Sequence, residues 1–366
     1  MKGEAERFSG SFLYALLVTA AFRLIYSTLA ALFTPALRLS PQDINRNDFT
    51  ENLMQRAEGL RYMLLGVWER FDTLWYIHIA AHGYDRPESS VFFPLYPWLI
   101  RLFSAVAGNA LTAAVGVTTL ATFLLFWGLM RLNELDNPAE EGRRAILAYA
   151  VWPASFIFFA AYPDSLAAAL AVWSVYWARQ GRWPLAGGAA VLASLTKATG
   201  LAVLPALVVL AWKGRGKALA MLFPLLAAPA VIWLILAISG YRQHWVTQIS
   251  WPWNTAHGAL REVAKGGPLI LVYNLALLSL TSVLAFSRAP RREYLFYSAA
   301  VITLILTKNT DPVLQSTARY ALGVFPAFLT LGAAMKNIWA FAAACAFAFA
   351  LNVALLAAYL DWQLVV

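Results

Sequence analysis

Apolar residues run along most of this chain in blocks of 13 to 23 residues, separated by short connectors that carry most of the charge. Blocks of that length cannot be strands, and their hydrophobicity shows no period-2 alternation. Each therefore predicts a helix, over 11-33, 110-131, 145-160, 166-179, 184-196, 198-212, 218-239, 268-287, 294-307, 318-334 and 338-359. Several are shorter than the roughly 20 residues needed to cross hydrocarbon, so some must be half-helices whose ends are buried in protein. The first apolar run, Phe12 to Phe33, is too long for a signal-peptide core and predicts a retained span. One long polar stretch interrupts the pattern, residues 34-109. Within it, "FTENLMQRAEGLRYMLLGVWERFD" spaces apolar residues helically among charges, which predicts helical structure lying in the interface between Glu51 and Ala81, with Asp72 at the break between two surface helices.

Composition makes the environment explicit. With 61% hydrophobic residues, 13% charged residues, 15 Trp and a mean hydropathy of +0.61, the chain cannot bury its apolar surface in a soluble globule. The expected fold class is all-α: a polytopic transmembrane protein of about eleven spans (nine to thirteen), one membrane domain over 1-366, with interfacial helices in the large first outer loop.

The net charge of +9 sits at span ends, not in one patch, which points to membrane anchoring and away from nucleic acid. Placing the basic connectors (Arg131 with Arg143 and Arg144; Arg179 with Arg182; Lys213 to Lys217; Arg288 with Arg291 and Arg292; Lys336) in the cytoplasm predicts an inside N-terminus and an outside C-terminus. It also predicts that 34-109, "AAYPDSLA", "LTKATGL", "YRQHWVTQISWPWN" and "TKNTDPVLQSTARY" share the non-cytoplasmic face. Polar groups at membrane level cost several kcal/mol unless paired or hydrated, so this gathering marks a candidate cavity.

Asp72, in "RFDTLWYIHIAAHGY", fits either a helix N-cap or a catalytic carboxylate. Lys197 stands alone in "VLASLTKATGLAVLP", and Arg319 heads the last-but-one span. Each calls for an anion: a carboxylate such as Asp164 or Asp72, or a phosphate. His78 and His82 share the i, i+4 spacing of zinc sites, but no third ligand accompanies them. "FFPLYPWLIRLF" predicts a rigid interfacial aromatic belt. "HWVTQISWPWN" supplies His244, Gln248 and Trp251, suited to a sugar or simply to the interface. The single Cys345, in an apolar run, excludes a disulfide within the chain and a cysteine metal site. Walker, G-x-G-x-x-G, G-x-S-x-G and H-E-x-x-H motifs are absent. No cofactor is required by the sequence, and nothing in it supports a divalent metal.

Arg70, Asp72, Trp75, Tyr76, Ile79, Ala80, Gly83, Tyr84 and Phe92 to Pro97 together resemble the early loop of the PIG-V family, the GPI mannosyltransferase 2 group and its bacterial relatives. "YPDSL", "LTKATGL" and "ARYALGVFP" are weaker echoes of the same family, whereas Phe71 stands where its pattern has Trp. The resemblance implies the GT-C glycosyltransferase class: inverting transfer of a sugar, typically mannose, from a polyprenyl-phosphate donor to a lipid or glycolipid acceptor on the non-cytoplasmic face. On that footing Asp72 is the expected general base, and Lys197 and Arg319 are the expected phosphate ligands. Arg70, Trp75, Tyr76, His78, Asp164, His244, Gln248 and Trp251 are expected to bind sugar or acceptor. The competing expectation is a lipid or amphiphile transporter, which would also place charges and broken helices at membrane level.

Overall fold

The computed structural model describes residues 2–37, 53–54, 58–212, 227–287 and 291–363. Among these the chain is helical, with one isolated antiparallel bridge between Ile249 and Lys308. The helices are α1 (Lys2–Phe33), α2 (Leu60–Leu64), α3 (Asp72–His82), α4 (Leu95–Ala107), α5 (Ala110–Asn133), α6 (Ala139–Val151), α7 (Asp164–Arg179), α8 (Trp183–Thr196) and α9 (Val203–Ala211). They continue as α10 (Ala227–Ser239), α11 (Arg242–Thr247), α12 (Pro252–Ala264), α13 (Leu269–Phe286), α14 (Arg292–Leu306), α15 (Thr317–Ala321), α16 (Phe325–Ala334) and α17 (Ile338–Leu360).

Four helices among the described residues are long and apolar enough to cross a bilayer: within α1, α5, α13 and α17. Their outward sides carry exposed Leu17, Leu24, Leu32, Val283 and Phe347, surface that suits lipid and not water. The chain is thus a polytopic helical membrane protein.

Three of the expected spans are broken, each for a local reason. The one expected over 145-160 ends at Val151, because Pro153 has no N–H to give and holds Trp152 out of the helical region (ψ 143°). The chain then runs irregularly through Tyr162 with every residue from Trp152 on buried. Side chains satisfy that backbone: Tyr26 donates to Ala150 O at 2.8 Å, Asn352 to Trp152 O, and Thr118 to Tyr162 O at 3.1 Å. Non-helical backbone at membrane depth survives only when it is buried and paired in this way.

The span expected over 198-212 starts as a 3-10 turn (Ala198–Ala202), since Lys197 is fully extended (φ −165°, ψ 153°). Gly200 permits the break: a Cβ there would lie 2.0 Å from Ala193 O. The span expected over 318-334 divides into α15 and α16, with Pro326 in the first turn of α16. Of the span expected over 218-239, the stretch 218–226 lies outside the described residues.

In the first loop α2 and a 3-10 turn (Gly66–Trp68) precede Asp72 and α3 starts at it, so the chain breaks there as expected, with Tyr62, Val67, Trp68 and Arg70 buried. The aromatic belt is half right: "LYPWLIRLFSAVA" forms α4, on which Trp98 is exposed while Tyr96 is fully buried and bonded to Thr118 at 2.7 Å.

Candidate functional site

Two helix starts converge. Asp72 is the first residue of α3 and Asp164 the first of α7, so both carboxylates lie at helix N-termini, where the peptide dipoles favour negative charge. Neither caps its helix with its side chain. The N-cap of α3 is Phe71, at φ 49° and ψ −119°, a conformation that costs a non-glycine residue roughly 1–3 kcal/mol. Its ring is gripped between Tyr359 (centroids 5.5 Å apart) and Trp362 (5.8 Å), which holds the turn and aims Asp72. The Tyr162 hydroxyl accepts from Asp72 N at 3.3 Å, joining the start of α3 to the loop that leads into Asp164.

The N-cap expectation for Asp72 is therefore replaced by an ion pair. Arg319 Nη1 donates to Asp72 Oδ2 at 2.8 Å, and Lys197 pairs with Asp164 Oδ1. Arg319 and Asp164 are almost fully buried, whereas the Asp72 side chain is 29% exposed and opens the cluster outward. Tyr320 ties the cations together: its hydroxyl receives Arg319 Nη2 at 2.8 Å and the ammonium of Lys308, while Lys197 Nζ lies 4.1 Å from its ring centroid.

Lys308 was not anticipated, although the reasoning used for Lys197 applies to it, a lone cation closing the apolar run "AAVITLIL". Tyr162 and Tyr320 lie in "YPDSL" and "ARYALGVFP", the weaker family echoes, which did not single them out as site residues. Three cations face two carboxylates, so the cluster keeps one positive charge in excess. Behind it, Asp164, Lys197, Thr199, Gly200, Tyr297 and Tyr320 line a cavity of about 10 Å³, room for roughly one water molecule. Asp164 Oδ2, buried and without a hydrogen-bond partner, belongs to that wall.

The other expected residues divide. Trp75 stacks on Phe92 with centroids 5.7 Å apart, and buried Tyr76 packs edge-on against Phe92 and Tyr96. Arg70 does not join the cluster. Its donors go to Leu360 O (3.0 Å), Glu69 O (3.1 Å) and the Tyr62 hydroxyl (3.1 Å), and its guanidinium lies 4.4 Å from the Trp362 ring centroid. It fastens the end of α17 to the first loop. His78 bonds Asp85 at 2.8 Å and stacks near His82, also apart from the cluster. Burial works to raise the Asp85 carboxyl, but the His78 hydrogen bond and charge outweigh it and hold Asp85 below its ordinary 3.8. Among the described residues no three His, Cys, Asp or Glu side chains gather as a metal ion would need.

The segment around Gln248 to Ser250 reaches the cluster through its backbone. Ser250 N donates to Thr307 O at 2.7 Å and Asn309 N to Gln248 O at 2.9 Å, so Gln248 pins Lys308 through its main chain. Trp251, 64% exposed, stacks parallel to Trp253 with centroids 4.8 Å apart on the outside of this clip, and His244 lies half-buried in α11.

No family model and no curated protein matches the sequence. Among solved structures, the chain is similar to ArnT from Cupriavidus metallidurans bound to undecaprenyl phosphate: TM-score 0.52 and 14% identity over 88% of this chain. The chain shares the helical membrane fold of that protein. The match spans 60% of that ArnT chain, so this protein corresponds to only part of its length. The apo form of the same ArnT aligns with TM-score 0.47 and 14% identity over 76% of this chain and 56% of its own.

Proposed function

We propose that this protein is a membrane glycosyltransferase that moves a sugar, typically mannose, from a polyprenyl-phosphate donor to the hydroxyl of a lipid or glycolipid acceptor on the non-cytoplasmic face. One observation carries the proposal: a partly exposed carboxylate, Asp72, is paired with a cation that belongs to a phenol-centred group of three. Inverting transfer asks for such a set. Asp72 takes the acceptor hydroxyl's proton as that oxygen bonds to the anomeric carbon, and the bond from that carbon to the phosphate oxygen breaks, leaving its electron pair on the phosphate. Arg319, Lys197 and Lys308 stabilise the charge that gathers there. Asp164 keeps Lys197 ionised and placed. Trp75, Tyr76 and Trp251, with His78, His244 and Gln248, are candidates for the sugar and acceptor walls. The helical membrane fold, shared with a protein crystallised with undecaprenyl phosphate, and the PIG-V-like motif support this reading.

The test is transfer of labelled sugar from polyprenyl-phosphate mannose to a membrane lipid extract by the purified protein in nanodiscs. A labelled lipid product is expected, and its identity names the acceptor. No turnover with any polyprenyl-phosphate sugar, alongside movement of the lipid between leaflets, would replace the enzyme by a transporter.

A further inference from the structure

Arg319 is asked to do two things that exclude each other. It holds Asp72 through Nη1, and in the proposed reaction it must hold the departing phosphate. While it neutralises Asp72, that carboxylate is a poor proton acceptor, and while Asp72 holds it, the fork cannot meet a phosphate squarely.

Three features show how the conflict is resolved. The Arg319 Nε is buried and donates to nothing, so the guanidinium is under-satisfied in its present position. Asp72 Oδ2 is its carboxylate contact, and Asp72 sits at the open edge of the cluster. Lys308, also partly open, has no carboxylate within ion-pair distance among the described residues, whereas Lys197 is committed to Asp164. Lys308 and Arg319 converge on one oxygen, the Tyr320 hydroxyl, a point where two cations already tolerate each other around a single acceptor. The backbone around Lys308 is held by the 248–250 segment: Ile249 bridges Lys308, Ser250 N donates to Thr307 O and Gln248 O accepts from Asn309 N.

Building on the phosphate-donor reading, we propose that Arg319 changes partner: the donor phosphate is met first by Lys308 and then takes the Arg319 fork from Asp72, so the base is unmasked only when the donor is in place. An unoccupied site is thereby kept inert. The exchange also explains why a catalytic carboxylate rests in an ion pair. A phosphate oxygen shared between Lys308 and Arg319 repeats what the Tyr320 hydroxyl does in the resting state, and a second oxygen can reach the idle Nε.

A double-mutant cycle read by binding separates this exchange from simple charge repulsion. Undecaprenyl phosphate is titrated into nanodiscs holding wild type, Asp72→Asn, Arg319→Lys and the double variant, each with matched thermal stability, and undecaprenol serves as the uncharged control. Arg319→Lys keeps the charge and loses only the fork; Arg319→Gln repeats the cycle. Exchange predicts that Asp72→Asn tightens binding roughly tenfold when Arg319 is present and far less when it is replaced. Lys308→Gln weakens binding in both backgrounds. Equal tightening with and without Arg319 would reduce Asp72 to a repelling charge and overturn the exchange, and unaltered binding by Lys308→Gln would remove Lys308 as first contact. No binding of undecaprenyl phosphate by any protein, or equal binding of undecaprenol, would overturn the phosphate-donor reading itself.

Discussion

At the scale of single residues, the choice of partner, not burial, separates the charges that hold the fold from those of the proposed site. Arg70 and Arg319 are both nearly inaccessible, yet Arg70 spends its donors on carbonyls and a phenol, whereas Arg319 shares a partly open carboxylate. Arg70→Gln is expected to lower the melting temperature while leaving turnover per folded molecule near that of wild type. A large loss of turnover at unchanged stability would return Arg70 to the substrate site. Lys197→Met leaves Asp164 as a buried, uncompensated charge, and breaking such a pair costs about 3–5 kcal/mol. Pairing it with Asp164→Leu should recover much of the lost stability in thermal unfolding, without recovering donor use. Asp72, Lys197, Arg319 and Asp164 were legible in the sequence because a lone charge in apolar surroundings must find a partner. Which carboxylate met which cation was not, since that depends on where two helix starts fall in space.

At the scale of elements, hydropathy marked the helices well and their breaks poorly. Prolines 153 and 326 were visible in the sequence, but an apolar block does not reveal whether it bends into a buried, side-chain-paired segment. Gly200 illustrates the gap: nothing local demands glycine, and only the approach of Ala193 O explains it. Gly200→Ala is expected to displace the Lys197 turn, cost about 1–3 kcal/mol and raise the donor KM together with the loss of stability. α4 was missed as a helix because its prolines and aromatics read as a belt. On the opposite side, the connector after α5 is clamped to α7 and α14 by Asp136, which receives Arg179 at 2.6 and 2.7 Å and Arg291 at 2.8 Å. Burial pushes the Asp136 carboxyl up, but the hydrogen bond and charge of Arg179 and the charge of Arg291 outweigh it and hold it below its ordinary 3.8. A depressed carboxyl stabilises the fold above its unfolded pKa and loses that contribution as pH falls through the folded one. The melting-temperature gap between wild type and Asp136→Asn should therefore stay constant from about pH 7 to 5 and close only in acid below 3.8. A gap that closes by pH 6 would assign the clamp to another group.

At the scale of the whole molecule, the proposed orientation places the cluster, the first loop and the clip around Lys308 on one side and the Asp136 clamp on the other. Accessibility is read at exposed Glu88, Asn254 and Asn137, each changed to Cys in a Cys345→Ser background. Labelling from outside is expected at 88 and 254 and from the cytoplasm at 137; the reverse pattern would put the site where flipped polyprenyl-phosphate sugars are out of reach. The helical membrane class was readable from the length of the apolar blocks together with composition, because no soluble fold can hide so much apolar surface. The site's assembly was not, because its members come from five distant segments joined by a fold that the sequence does not spell out locally. The most direct measurement is the rate of labelled-sugar transfer by Asp72→Asn against wild type at matched thermal stability. Asparagine keeps the shape and cannot take the proton, so the rate should fall by about 10²- to 10⁴-fold while donor binding persists. Near-normal transfer by the Asn variant would contradict the role of Asp72 as the base.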